Sequence, residues 1–70
     1  MYTIIEMQIN GNTMAVVTPE VKADRDEAES VYHARLASAA ISSVEIHSVV
    51  LLNAEGQRID GKCYKHPAQA

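Results

Sequence analysis

Seventy residues, of which 47% are hydrophobic and 21% charged, make one small domain and leave no room for a second. Six Lys and Arg against nine Asp and Glu give a formal net charge of -3, which argues against general nucleic-acid binding, because counterion release needs a dense basic face. No apolar run approaches the ~18 residues of a membrane span and no apolar h-region follows a basic N-terminus, so a cytoplasmic protein without membrane association is expected.

A domain this short buries only about 60% of the surface its unfolded chain exposes, and one core of that size rarely supplies more than about 3–5 kcal/mol. Such chains gain from a staple. The lone Cys63 excludes an internal disulfide. Cys63, His33, His47 and His66 have none of the C-x-x-C or H-x-x-x-H spacings of structural zinc, so neither a metal nor another cofactor is expected. Self-association is the staple that remains.

Tyr2 to Ile9 is rich in β-formers and runs into Asn10-Gly11, a strong hairpin signal because both residues tolerate positive φ. With these two as the turn, Met7 faces Met14, Ile5 faces Val16 and Ile4 faces Val17. Ile5, Met7, Met14 and Val16 then share one face, and Ile4, Ala15 and Val17 share the other with Glu6 and Gln8. The partner strand, Thr13 to Thr18, is expected to end at Pro19, which has no N–H to donate. A helix follows. Asp24 with Glu27 reads as a capping box, and Asp26, Glu27 and Glu29 put negative charge where the helix dipole favours it. From there to about Ser42 no Gly or Pro intervenes, and Ala28, Tyr32, Leu36 and Ala39 form one stripe flanked by Val31 and Ala40. The alanine-rich end, Ala34 to Ala40, suits either a close helix contact or simple helix propensity.

Val44 to Asn53 is apolar on both parities, with Val44, Ile46, Val50 and Leu52 on one and Val49 and Leu51 on the other. One helix covers one face, so the opposite face needs a different cover. Ala54 to Gln57 is a turn with Gly56 suited to positive φ, and Arg58 to Lys65 returns as the last strand. The sequence therefore predicts an α+β fold of the ββαββ type over residues 1–65: a four-stranded, mainly antiparallel sheet with one helix on one face, and a frayed tail at residues 66–70. The expected core is Ile5, Met7, Val16, Val31, Leu36, Val44, Ile46, Val50 and Leu52. Ile4, Val17, Val49 and Leu51 then fall on the uncovered face as the expected homo-oligomer interface, where Val49→Glu should dissociate or unfold the assembly.

Cys63, Ser30, Ser38 and the histidines stand in no nucleophile motif, and Gly11, Gly56 and Gly61 form no phosphate loop, so no catalytic residue is expected and the protein is not read as an enzyme. His47, beside Val49, reads as a hydrogen-bonded interface filler, with metal ligation or pH sensing as the alternative. Arg25, Arg35, Lys62 and Lys65, with Tyr32 and Tyr64, are suited to an anionic planar ligand, since the bases hold phosphates and the rings stack. Surface pairing with Asp24, Glu29 and Asp60 is the competing explanation. A closed pocket of about 300 Å³ or more exceeds so small an interior, so a ligand is expected where the helix of one subunit meets the last strand or tail of another.

The string Asp24-Arg25-Asp26-Glu27-Ala28-Glu29-Ser30 with Tyr32-His33, Leu36-Ala37, Ala39-Ala40, Ser43-Val44, His47, Leu51-Leu52-Asn53 and Glu55-Gly56 resembles a group of small proteins encoded in bacteriophages and prophages of gut bacteria. The resemblance covers most of residues 4–66, including Tyr64 and His66, and carries over no site residue. It implies a context, the infected bacterial host. There, compact non-enzymatic proteins act by binding, as antagonists that occupy a host defence protein or sequester a nucleotide immune signal. Others are structural or regulatory accessory parts that touch only protein.

Overall fold

β1 (Tyr2–Asn10) and β2 (Thr13–Lys22) form one hairpin, α1 (Arg25–Ala40) follows, and β3 (Ile46–Leu52) and β4 (Arg58–Lys65) form a second hairpin. The structure is a computed structural model and describes residues 1–66. All neighbouring strands are antiparallel in one open sheet of order β2-β1-β3-β4, the ββαββ arrangement the sequence predicts.

The first hairpin differs from expectation by two residues. Asn10 pairs with Thr13, so the turn is Gly11-Asn12, and Met7 pairs with Val16 and Ile9 with Met14. Only Gly11, at φ 59, is left-handed, and no non-glycine residue has positive φ. A turn of the II′ kind needs one such residue, at its first central position, whereas Asn10-Gly11 as a I′ turn would need two. Because the shift is two residues, the parity of both strands survives it. β2 also runs past Pro19 to Lys22, since it is an edge strand and Thr18-Pro19 sits in a bulge opposite Ile5. This extension carries Glu20 alongside Ile4.

The helix starts where expected, with Asp24 at the N-cap, but Asp24 makes no side-chain cap hydrogen bond, so the capping box does not form. Asp24 contributes its carbonyl instead, accepting from the Ala28 amide at 3.0 Å. Ala28, Tyr32 and Ala39 are buried along the expected stripe. The helix ends at Ala40, and β3 begins at Ile46, leaving Val44 in the connection.

The largest correction concerns which face the helix covers. The buried core is Ile4, Val49 and Leu51 from the sheet with Ala28, Tyr32 and Ala39 from α1, and Tyr2, Val31, Leu36 and Tyr64 pack against it. Ile4, Val49 and Leu51, expected at an oligomer interface, are therefore interior, and Val17 is half-buried on the same side. Ile5, Met7, Val16, Ile46, Val50 and Leu52, expected in the core, share the opposite, open face. Both faces of β1 and β3 are apolar, so composition does not choose between them. Topology does. β2 and β3 are each antiparallel to β1, hence parallel to each other, and the β2–α1–β3 connection is a crossover whose right-handed rule admits the helix on one side only.

In the second hairpin Gly56 takes φ 78, and the Asn53 Oδ1 accepts from the amides of Glu55 at 3.0 Å and Gln57 at 2.9 Å. His66, expected to begin a frayed tail, donates its amide to the Glu45 carbonyl at 2.7 Å and sets its Nε2 2.9 Å from the Ala39 carbonyl. The rest of that expected tail lies outside the described residues. No helix is long and apolar enough to cross a membrane among the described residues.

Candidate functional site

Two features stand out once the fold is set: a polar cluster between α1 and the sheet, and the open face opposite the helix. The cluster begins with Glu6, which follows the inward parity of Ile4 on β1 and pairs across to Val49 and Val17. His47 stands diagonally beside it, since it pairs with Gln8 two residues on. Arg35 comes down from the helix one turn after Tyr32, and Glu20 enters from the extension of β2.

Arg35 Nη1 donates to Glu6 Oε1 at 2.7 Å, and Nη2 donates to Glu20 Oε1. His47 Nε2 donates to Glu6 Oε2, because a carboxylate can only accept. The other ring nitrogen, Nδ1, is hydrogen-bonded to the Ser42 hydroxyl at 2.8 Å. Gln8 Nε2 adds a 3.3 Å bond to Glu6 Oε2, and Lys22 stands 3.7 Å from Glu20. Burial works to raise the Glu6 carboxyl, but the bonds from His47, Arg35 and Gln8 outweigh it and hold it below its ordinary value. Arg35 likewise lowers Glu20, and the two carboxylates together raise Arg35. Arg35 Nε, buried, has no partner among the described residues.

An open groove of about 480 Å³ runs along this cluster, lined by Val31, Ala34, Arg35 and Ser38 of the helix and Glu6 and Glu20 of the sheet. The groove is not basic: two carboxylates face one guanidinium that both already hold. Ser42, His47 and Glu6 are the residue types of a nucleophilic triad, yet the imidazole is only 3% exposed and Ser42 does not line the groove.

The residues expected to hold an anion are dispersed. Arg25 pairs with Glu29 at 3.0 Å on the exposed start of the helix, and Arg35 directs both Nη groups to Glu6 and Glu20. Tyr32 is in the core, where burial and the neighbouring Asp60 raise its hydroxyl. Lys62 and Tyr64 do meet, with Nζ 5.1 Å from the ring centroid, and His66 stacks on Tyr64 at 6.4 Å. Lys65, paired with Ile46, lies on the other face of β4 from Tyr64, paired with His47. Within one chain the six residues form no common site.

The open face is the second feature. Its inner rows are Ile5, Met7 and Ile9 on β1 and Ile46, Ser48, Val50 and Leu52 on β3, all half-buried. On β2, Met14, Val16 and Val21 are 60%, 56% and 53% exposed. Charge appears only on β4, as Arg58 and Lys65, and none of the paired residues of this face is acidic.

Sequence reasoning placed His47 beside Val49 but did not find Glu6, Glu20 or Ser42. A signal was there: Glu6 interrupts the apolar parity of Ile4 in a strand whose other neighbours are β-formers, and a charge at such a position demands a partner from the helix. No family model, curated protein or solved structure matches the chain.

Proposed function

We propose that the protein is a non-enzymatic, phage-encoded binding protein that works through protein–protein contacts, with a homodimer as its working unit. The observation that carries this reading is the open sheet face, apolar over three strands and uncharged except at β4. A soluble monomer rarely leaves so continuous a patch bare. Glu6, Glu20, Arg35, Ser42 and His47 on the helix side, by contrast, are hydrogen-bonded to one another, so the groove beside them offers no convergent pair of bases for an anion. The reading accommodates an antagonist that occupies a host defence protein and departs from a nucleotide sponge, whose bases would have to converge.

Light scattering and native mass spectrometry at micromolar concentration test it, together with urea unfolding at several protomer concentrations. A dimer is expected, with a midpoint that rises with concentration because association stabilises only the folded chain. A monomer throughout overturns the reading. Nucleotide released from the purified protein on denaturation, detected by ultraviolet absorbance and mass spectrometry, would favour sequestration instead.

A further inference from the structure

We infer that the open face is covered by a second copy of this chain, packed face to face, with the two-fold axis running close to parallel to the strands so that β4 of each copy lies over β2 of the other. This rests on the homodimer reading and adds its geometry. Four strands about 4.8 Å apart and about eight residues long at ~3.3 Å each make a face of roughly 500 Å², so two copies bury roughly 1,000 Å², near the lower bound for a specific interface.

A sheet-on-sheet two-fold has two simple orientations. With the axis perpendicular to the strands, β2 lies over β2 and β4 over β4. With the axis parallel to them, strand order reverses between layers and each residue keeps its level along the strand. The pairing registers then say what meets what. Cys63, Ser48, Met7 and Val16 form one row across the sheet, so Cys63 faces the second copy's Val16. Lys65, Ile46, Ile9 and Met14 form another, so Lys65 faces Met14. Arg58, Leu52, Thr3 and Val21 form a third, so Arg58 faces Val21.

These are the exposed apolar residues of β2 set against the long or small side chains of β4. Arg58 already lies along the face: its Nη2 donates to the Gly61 carbonyl at 3.0 Å, and a Cβ added to Gly61 would come 2.7 Å from its Nε. The aliphatic stems of Arg58 and Lys65 are long enough to cover the apolar surface of the second copy while their charges stay at the open edge of β4. The perpendicular axis lays β4 on β4 and sets Arg58 of each copy against Lys65 of the other, two like-charge pairs with no acid among the paired residues of the face to offset them, which disfavours it. Both halves of the complement are present in one chain, which points to a second copy rather than an unrelated partner.

The test uses the thiol the chain already has. In Val16→Cys, dibromobimane, which bridges two nearby thiols and fluoresces only when both arms have reacted, should give a fluorescent covalent dimer. The unsubstituted chain, whose two Cys63 thiols lie at opposite edges of the interface, should give none. Val16 and Cys63 of one chain are three strands apart, too far to bridge internally. Met14→Cys/Lys65→Cys in a Cys63→Ser background is a second, independent pair at the next row, and both β2 positions are exposed enough to change without disturbing the fold. A dimer in which neither pair links, or in which Cys63 links to Cys63, overturns this geometry and leaves the homodimer reading standing. A monomer by native mass spectrometry overturns both.

Discussion

Arg35→Met removes the guanidinium while keeping a good helix former and much of the stem. Glu6 would keep His47 and Gln8 as donors but lose its 2.7 Å bond to Arg35, and Glu20 would be left with Lys22. Taking one partner from a buried pair costs about 3–5 kcal/mol. The Arg35 side chain is 21% exposed beside an open groove, which puts the cost at the low end, about 3 kcal/mol. With a urea slope of ~1 kcal/mol/M for so small a chain, the midpoint should fall by about 3 M. Far-UV circular dichroism at fixed protomer concentration is the assay, since the chain has no Trp. Adding Glu6→Gln to that background removes the uncompensated charge and keeps an acceptor for His47, so it should restore about 1–2 kcal/mol. A shift below ~0.5 M for Arg35→Met, or a double variant that merely sums the two single losses, would refute the coupling.

Val49→Glu should unfold the protein outright, because Val49 is fully buried under the helix, whereas Val16→Glu on the open face should dissociate the proposed dimer and leave a folded monomer, distinguished by circular dichroism and light scattering together. Glu6 and Glu20 sit below the ordinary 4.5 when folded, so the unfolded chain takes up protons first. Their contribution is complete above about pH 4.5 and is lost as pH falls through the folded values, and Glu6→Gln should flatten that acid limb of the melting temperature. Tyr32 is raised above 10.0, so its contribution is complete below that pH and is lost on further alkalinisation. Tyr32→Phe should remove this loss, followed by tyrosinate absorbance and ellipticity. Gly11→Ala forces a side chain onto φ 59 and should cost about 1 kcal/mol in urea unfolding; no change would mean the turn adjusts freely.

Element types were legible because each carries a local cause. The alternating β-formers of Tyr2–Asn10, the break-free stripe of Ala28, Tyr32 and Ala39, and the turn around Gly56 need no knowledge of the rest of the chain. Boundaries that depend on neighbours were not. Pro19 stops a central strand, and only its position at the sheet edge allows β2 to continue and deliver Glu20 to Arg35. Likewise Arg35 read either as an anion-binding base or as a surface partner of carboxylates near in sequence, until the fold placed Glu6 and Glu20 against it from strands β1 and β2.

The face inversion has a deeper cause. Parity groups side chains correctly without saying which group lies inside, and here both groups are apolar, so the decision passes to crossover handedness. The face chosen is the more polar of the two, since it carries Glu6 and His47 among Ile4, Val49 and Leu51. That choice is tolerable only because Arg35 and Ser42 complete the hydrogen bonds the buried pair would otherwise lack. A buried ion pair adds little net stability, and Ala28, Ala34, Ala37 and Ala39 bury little area each. The helix side alone is thus a thin source of stability for a sheet of four strands. The richer apolar set, from Ile5 and Met7 to Val50 and Leu52, was left on the open face, where it contributes fully only when something covers it. The same arrangement that defeated a reading of the core is therefore what supports the proposal that a second copy covers this face.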